Sequence, residues 1–281
     1  MPFNSIISRA DAQALIPENV TQEIIQNAPQ NSAIMQLARR LPNMPTNQTR
    51  MPILSALASA YFVNGDTGQK RTTEMAWANR FINAEELAVI VPIPENVLDD
   101  TSYDVWGEVR PRIEEAMGLA FDQAVLYGTN APANWPTNIL QGATNAAQTV
   151  ARGAIGDLYD DVFAENGVIA QVEEDGFLVN GHVGALAMRS ALRGLRDANG
   201  YPLFNRTMQE GSQYELDGTE VIFPQNGAVD AAQSLLVSGD WDQLVYSIRQ
   251  DITYRIFSEG IVQDAAGNIV YNLMQQDEQA A

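Results

Sequence analysis

Two long, weakly polar segments separated by a short polar tract constrain the fold of this chain more than any other feature. Residues 50–64 and 77–93 combine apolar and small side chains, and residues 65–74 between them are rich in glycine, threonine and charge. This pattern predicts two strands joined by a turn. Strands of about 14 residues would extend roughly 45 Å at about 3.3 Å per residue. Because an isolated two-stranded hairpin is marginally stable in water, we expect a neighbouring subunit to cover it.

The residues that precede the hairpin have the composition of an arm. Residues 1–46 mix short apolar clusters with prolines and amide side chains. The spacing predicts one short helix near residues 20–26 and a second over residues 32–40. Pro42 and Pro45 then interrupt regular structure before the hairpin begins.

The longest helical pattern covers residues 104–127. Apolar side chains recur there at steps of three and four residues, from Val105 to Ala124. Polar residues at 99–102 are candidates for the N-cap, and Gly128 is a stop signal. Pro111 lies inside the pattern, so the helix is either kinked at this proline or begins there.

The second half of the chain predicts a mixed α+β fold. Residues 129–150 have a loop-like composition, with two prolines and several amides. Helices and strands are then expected to alternate. The expected helices cover residues 158–163 and 184–197, and the expected strands cover residues 176–180, 221–223, 234–238 and 244–257, of which the last is long.

Composition excludes several functions. Sixteen Lys and Arg against 35 Asp and Glu give a net charge of −19, whereas a face that binds phosphates requires clustered cations. We therefore expect that the protein does not read DNA or RNA. The charge is compatible with a container wall that encloses a polyanion without adhering to it, and equally with many secreted or cytosolic proteins. The chain has no cysteine, which excludes disulfides and thiolate metal sites. A signal-peptide pattern and a bilayer-spanning apolar run are both absent from the sequence, which predicts a cytoplasmic protein.

Few residues are candidates for catalysis. His182 is the only histidine, and its position between a predicted strand and a predicted helix favours a capping or loop role. Acidic runs at residues 99–100, 160–161 and 173–175 match no calcium-loop pattern, so we interpret them as solvated surface. Neither a nucleotide-binding glycine motif nor a Gly-x-Ser-x-Gly elbow occurs. We therefore expect no enzyme activity, no metal and no cofactor.

Four stretches of the sequence resemble the major capsid proteins of tailed bacteriophages, the Hong Kong 97 fold family. In chain order they are VPIPENVLDD at residues 91–100, LAFDQAVLYG at 119–128, residues 177–180 with 192–204, and residues 237–244 with 249–254. The resemblance covers the chain from about residue 10 to its end. It implies an α+β fold with five parts: an N-terminal arm (1–46), an extended β-hairpin loop (47–92), a peripheral domain with a spine helix (93–150), an axial α/β domain (151–245), and a return strand and tail in the peripheral domain (246–281).

The same resemblance implies a structural function. The chain would be a major capsid (head) protein that self-assembles into homopentamers and homohexamers, forming the icosahedral shell around the phage DNA. It would be part of the virion, assembled in the host cytoplasm, with separate scaffolding, portal and decoration proteins as further partners and with no membrane or sequence-specific DNA contact. The candidates for contact between subunits are Tyr61, Phe62, Lys70, Arg71, Trp77 and Trp106.

Two alternatives share the expected fold. An encapsulin-like nanocompartment encloses an enzyme instead of DNA, and the long N-terminal arm disfavours it. A self-cross-linking capsid protein would join a loop lysine to an asparagine near the C-terminus, assisted by a glutamate. Lys70 is the only lysine and lies at the predicted loop tip, with Asn268 or Asn272 as the acceptor. No acidic residue lies between Ile269 and Gln276 to serve as base, so we interpret Lys70 as an exposed cation that pairs with an acidic neighbour.

This interpretation of Lys70 predicts that assembled particles contain no covalent links between subunits. Denaturing gel electrophoresis of purified particles should show the monomer alone. A ladder of covalent oligomers would contradict the prediction.

Overall fold

The computed structural model describes residues 31–63, 72–100, 104–196, 215–264 and 266–280. Within these ranges the helices are α1 (Ala33–Leu37), α2 (Glu95–Asp100), α3 (Val105–Tyr127), α4 (Ile139–Asn145), α5 (Leu158–Phe163), α6 (Val168–Glu174), α7 (Leu186–Gly194) and α8 (Leu273–Gln276). The strands are β1 (Arg39–Arg40), β2 (Gln48–Ala56), β3 (Ala76–Asn83), β4 (Pro92–Pro94), β5 (Gly181–Gly184), β6 (Glu215–Leu216), β7 (Thr219–Ile222), β8 (Leu236–Gly239), β9 (Val245–Tyr246), β10 (Ile261–Gln263), β11 (Ile269–Asn272) and β12 (Glu278–Ala280).

Helix α3 is the longest element of the described ranges, and its ends follow local sequence signals. The Asp104 side chain accepts a hydrogen bond from the Gly107 amide at the N-terminus, and Gly128 ends the helix in the left-handed conformation, with φ of 75°. The helix begins at Val105 and continues through Pro111. The alternative in which it starts at the proline is therefore wrong.

A buried carboxylate on α3 holds the N-terminal end of α1. Asp122, only 1% exposed, accepts hydrogen bonds from the Ser32 hydroxyl, from the Ala33 amide at 2.9 Å and from the Ile34 amide at 3.3 Å. These amides belong to the first turn of α1, which has no intrahelical partner for them. Burial raises the pKa of Asp122 above its ordinary value of 3.8, and the three hydrogen bonds oppose this shift. These hydrogen bonds thus fix the start of α1 to α3.

Two hydrophobic cores lie on either side of the four-stranded sheet, whose strand order is β6-β7-β5-β8. Strand β5 is buried at all four positions, parallel to β7 and antiparallel to β8. One core contains Val221 of this sheet with residues of α5, α6 and α7, and the other contains Val183 with residues of α1 and α3. Because successive residues of a strand face opposite sides, Val183 packs in one core and the His182 side chain lies on the side of the other, opposite Val221.

The C-terminal residues return to α3 and the end of the hairpin segment. Strand β9 pairs in parallel with β1, and β12 pairs antiparallel with β4. Between them the Tyr254 hydroxyl donates to a Glu114 carboxylate oxygen of α3 at 2.8 Å, and the Arg110 guanidinium lies 5.6 Å from the centre of the Tyr254 ring.

Two strand predictions are wrong. Residues 176–180 form no buried strand, since Phe177 and Leu178 are 44% and 77% exposed, and the buried strand is β5, which starts at Gly181. The long strand expected over residues 244–257 is reduced to Val245 and Tyr246. Residues 247–257 have no partner strand in the described ranges, apart from a single bridge at Phe257. Residues 247–249 hydrogen-bond to residues 42–47 instead, and Tyr254 bonds to Glu114 of α3.

Other boundaries differ from the predictions. The segment 129–150 contains α4, because the Asn138 side chain caps the Gln141 amide and starts a helix. The helix expected over 32–40 ends at Leu37, and the one expected over 184–197 covers Leu186–Gly194. The helix expected near residues 20–26 lies outside the described residues.

The Asp122 anchor predicts a pH-dependent effect of Asp122→Asn. A carboxyl group whose pKa is raised by folding stabilises the folded state at pH values below its pKa in the unfolded chain, 3.8. This contribution is lost as the pH rises through the elevated pKa of the folded state. Asparagine does not titrate and loses one acceptor oxygen, which adds a pH-independent cost of about 1–3 kcal/mol. The free energy of unfolding of wild-type subunits minus that of the variant should therefore decrease with rising pH, as measured by urea denaturation.

The control is Glu108→Gln, which removes one negative charge from the exposed first turn of the same helix. A difference between wild type and Asp122→Asn that does not vary with pH, or that grows as the pH rises, would contradict the assignment.

Candidate assembly surface

The β2–β3 ribbon is the predicted hairpin, and the pairing of its strands is antiparallel. The register runs from Gln48 opposite Asn83 to Ala56 opposite Ala76, with an irregularity after Leu54. At its base the Ala84 amide donates to the Asn47 carbonyl oxygen at 2.8 Å. The strands are shorter than predicted, because residues 57–63 and 84–91 carry no regular structure. The ribbon is a sheet of two strands, so its outer edges pair with nothing else in the described chain.

Both faces of the ribbon expose large apolar side chains. Residues directly opposite each other share a face, which places Leu54 beside Trp77 and Arg50 beside Phe81. Trp77 and Phe81 are 67% and 57% exposed. The opposite face carries Ile53, which is also exposed. A contiguous apolar surface of this kind marks a protein–protein contact in a soluble protein.

The other contact candidates have mixed outcomes. Tyr61 and Phe62 follow β2 and are exposed, Phe62 completely. Trp106 lies in the first turn of α3 and is half-buried, so it is only partly available to a neighbour. Lys70 and Arg71 lie outside the described residues, and their role in contacts between subunits stays a prediction.

Asn268, the candidate cross-link acceptor, has a hydrogen-bond partner within its own loop. Its backbone amide and its side-chain amide donate to the Asp264 carboxylate at 2.8 and 3.0 Å. These bonds lower the pKa of Asp264. The sequence reasoning sought a carboxylate after Asn268 and missed this one, which lies four residues before it.

His182 is a buried strand residue, and the expectation of a loop or cap is wrong. It is fully buried in β5, with Nδ1 2.7 Å from the Ser238 hydroxyl and Nε2 3.3 Å from the Leu216 carbonyl oxygen. A carbonyl only accepts, so Nε2 donates to Leu216 and Nδ1 accepts from Ser238. Burial lowers the pKa of His182, which keeps the ring neutral. Both ring nitrogens are satisfied inside the fold, which is a structural role.

One acidic run is not solvated surface. Asp161 is 4% exposed and accepts hydrogen bonds from the backbone amides of Gly153 and Ile155, which lower its pKa. Its neighbour Asp160 forms a capping box with Asp157 at the start of α5. These carboxylates organise a loop and a helix.

The described residues contain no arrangement typical of an enzyme site. No group of three or more His, Asp or Glu side chains within them is placed to hold a metal ion. The groove of about 350 Å³ between residues 89–91 and α3 is mainly apolar, with Glu108 and Arg112 as its charged residues. None of the described helices is both long and apolar enough to cross a bilayer.

Comparison with known proteins gives a consistent result. The Phage capsid family model matches residues 12–276. The major capsid protein of Staphylococcus phage 80alpha is 29% identical over 262 residues, which cover 92% of this chain and 75% of that protein. A chain solved from Microbacterium phage Oxtober96 superposes with a TM-score of 0.84 at 34% identity, covering 98% of this chain and 90% of the other.

A more distant likeness concerns the fold alone. The capsid of a native GTA particle, computed with C5 symmetry, has a TM-score of 0.66 at 18% identity, covering 99% of this chain and 93% of that one. Since the family model spans nearly the whole sequence and the mixed helix and strand architecture matches, the chain belongs to the phage capsid family.

Proposed function

We propose that this chain is the shell-forming major capsid protein of a phage head and that its copies associate through the β2–β3 ribbon. The observation that carries the proposal is the exposure of Trp77 and Phe81 on a sheet of only two strands. Burying apolar surface stabilises an interface by about 25 cal/mol per Å² removed from water. A neighbouring copy that covers the ribbon supplies the burial that the ribbon cannot supply itself.

The proposed arrangement of the subunit is that of a Hong Kong 97-type shell protein. Residues 1–46 form the arm and residues 47–92 the extended loop. Residues 93–150 and 246–281 form a peripheral domain around α3, and residues 151–245 form an axial domain around the four-stranded sheet. Two observations support the division: the C-terminal residues return to α3, and the sheet carries a separate core with α5, α6 and α7.

The proposed assembly consists of homopentamers and homohexamers in an icosahedral shell around DNA. Membership of the phage capsid family and the likeness to a chain from Microbacterium phage Oxtober96 support assembly into a shell of many copies. The net charge of −19 suits a wall that encloses DNA without sequence-specific contact. Assembly in the host cytoplasm and separate scaffolding, portal and decoration proteins complete the proposal.

The proposal predicts that Trp77→Ser impairs assembly and spares the subunit. Trp77 is 67% exposed in the subunit, so its removal should change the free energy of unfolding by about 0.5 kcal/mol or less. As a buried aromatic anchor of an interface it should contribute about 2 kcal/mol or more per contact. The subunit concentration at which particles form, measured by light scattering, should therefore rise at least about tenfold.

Trp241→Ala is the matched control, because Trp241 is only 4% exposed and donates from Nε1 to the Gly181 carbonyl oxygen. This variant should lose about 3–5 kcal/mol of subunit stability. If Trp77→Ser particles formed at the wild-type concentration, the ribbon would not be the assembly surface.

The direct test of the function is negative-stain microscopy of the purified full chain, with its nucleic acid content measured. Closed particles are expected, and particles from infected cells should contain DNA. A chain that remains monomeric at all concentrations and is absent from particles isolated from infected cells refutes the shell. Closed particles that enclose a protein cargo instead of DNA support the encapsulin-like alternative.

A further inference from the structure

A pair of aromatic side chains on α5 forms an exposed patch far along the chain from the β2–β3 ribbon. Tyr159 and Phe163 are 41% and 36% exposed, and their ring centroids lie 4.9 Å apart. The opposite side of the same helix faces inward, where Leu158 and Val162 pack in the core with α6 and α7. The aromatic pair is therefore not needed to attach α5 to its own subunit. Exposed aromatic pairs of this kind are typical anchors of protein interfaces.

The helix and loop that carry this aromatic pair are held by hydrogen bonds within the subunit. The capping box of Asp157 and Asp160 fixes the first turn of α5. The buried Asp161 carboxylate ties the preceding loop to the helix through the Gly153 and Ile155 amides. Because the patch is already ordered, little conformational entropy would be lost when a partner covers it.

The surroundings of the aromatic pair are acidic. The sequence holds no lysine or arginine between residues 153 and 188. Exposed carboxylates in this interval include Asp160 and Glu165 beside the pair, and Glu173, Glu174 and Asp175 at the end of α6. We call Tyr159, Asp160, Phe163 and Glu165, on α5 and just after it, the acidic face.

Helix α7 has the opposite charge. Residues 186–196 contain Arg189, Arg193 and Arg196 and no acidic residue. Arg193 and Arg196 are exposed, and neither forms an ion pair with a carboxylate of the described part of the chain. Leu186, at the start of the helix, is 50% exposed, whereas Met188 and Leu192 pack inward. We call Leu186, Arg193 and Arg196 the basic face.

We propose that the acidic face of one subunit docks on the basic face of a second copy, so that Tyr159 and Phe163 cover Leu186 and the carboxylates lie near Arg193 and Arg196. This contact rests on the proposed shell function and adds a second interface to it. Charge complementarity selects the partner: three of the chain's 16 cations lie within one short helical segment, on a protein that is otherwise strongly acidic.

The geometry of such a contact produces rings. Two different faces of the same protein meet, so the contact is heterologous, and repeating it adds subunits head to tail, which forms a ring where the rotation per contact closes. Helices α5 and α7 pack on one common core, so the two faces are held at a fixed relative orientation within each subunit. A fixed orientation is what a closed ring of defined size requires.

The absence of cysteine from the chain allows a direct test in the full-length protein. Particles are prepared from Phe163→Cys alone, from Leu186→Cys alone, from a mixture of these two variants, and from the double variant. Each preparation is treated with a short bismaleimide and run on a denaturing gel. We expect monomer from each single variant, dimer from the mixture, and a ladder of oligomers from the double variant.

Two results would overturn the contact while leaving the shell intact. In the first, microscopy shows particles of the mixture and of the double variant, but the gel shows only monomer. A cross-link within one subunit, identified by mass spectrometry, counts as the same result. The other is that a single variant alone gives dimer, which indicates like faces meeting. Absence of wild-type particles would instead refute the proposed shell function.

A charge reversal provides a second measurement that does not depend on the cysteine variants. Arg193→Glu should raise the concentration needed for particle formation several-fold, with only a small change in urea unfolding of the subunit from the altered charge in the last turn of α7. Adding Glu165→Arg should restore part of the loss of assembly. Arg255→Glu, an exposed arginine on the segment that returns along α3, makes the same change in net charge as a control. An unchanged assembly concentration for Arg193→Glu, or an equal rise for Arg255→Glu, would overturn the proposal.

Discussion

Neither face of a two-stranded sheet can be buried by the sheet itself, and this constraint governs the whole molecule. The β2–β3 ribbon carries Trp77 and Phe81 on one side and Ile53 on the other, all exposed. A helix or a further strand would cover such a surface in a self-contained protein. The described part of this chain offers neither, since the ribbon remains a separate two-stranded sheet. Further copies of the subunit in a shell, as in the phage capsid family, would cover this surface.

The rest of the subunit holds itself together with buried polar contacts at a few defined points. Asp122 binds the first turn of α1 to α3, and His182 binds β5 to the Ser238 hydroxyl and the Leu216 carbonyl. Each of these groups is almost fully buried and has its partners in place. An unsatisfied buried group would cost about 1–3 kcal/mol, so such contacts define one arrangement of the elements rather than merely adding stability. The surfaces that meet other copies can then be presented at fixed positions.

The sequence predicted those parts of the fold that depend on local signals. Helix α3 followed from its apolar spacing and from Gly128, and the ribbon followed from two apolar segments around a polar turn. The N-cap of α3 was predicted wrongly, since it is Asp104 and none of residues 99–102. Strand β5 was missed because two glycines and a histidine carry no strand pattern, and its burial comes from β7 and β8 on either side. Residues 247–257 have the composition of a strand, but within the described ranges they find no partner strand beyond the bridge at Phe257. The roles of Asp122 and Asp161 depend on backbone amides brought close by folding, which no residue pattern reveals.

The pairing of β4 with β12 has a mechanical consequence. Strand β4 begins where the chain returns from the hairpin, and it is joined to the C-terminal strand by three antiparallel residue pairs, Pro94 with Glu278, Ile93 with Gln279 and Pro92 with Ala280. Ala280 is bonded on its other side to Phe257 by two hydrogen bonds of 2.7 and 2.9 Å. A pull along the hairpin segment would load the hydrogen bonds between β4 and β12 together in shear. The C-terminal strand would then resist the transmission of that load from the ribbon to helix α3.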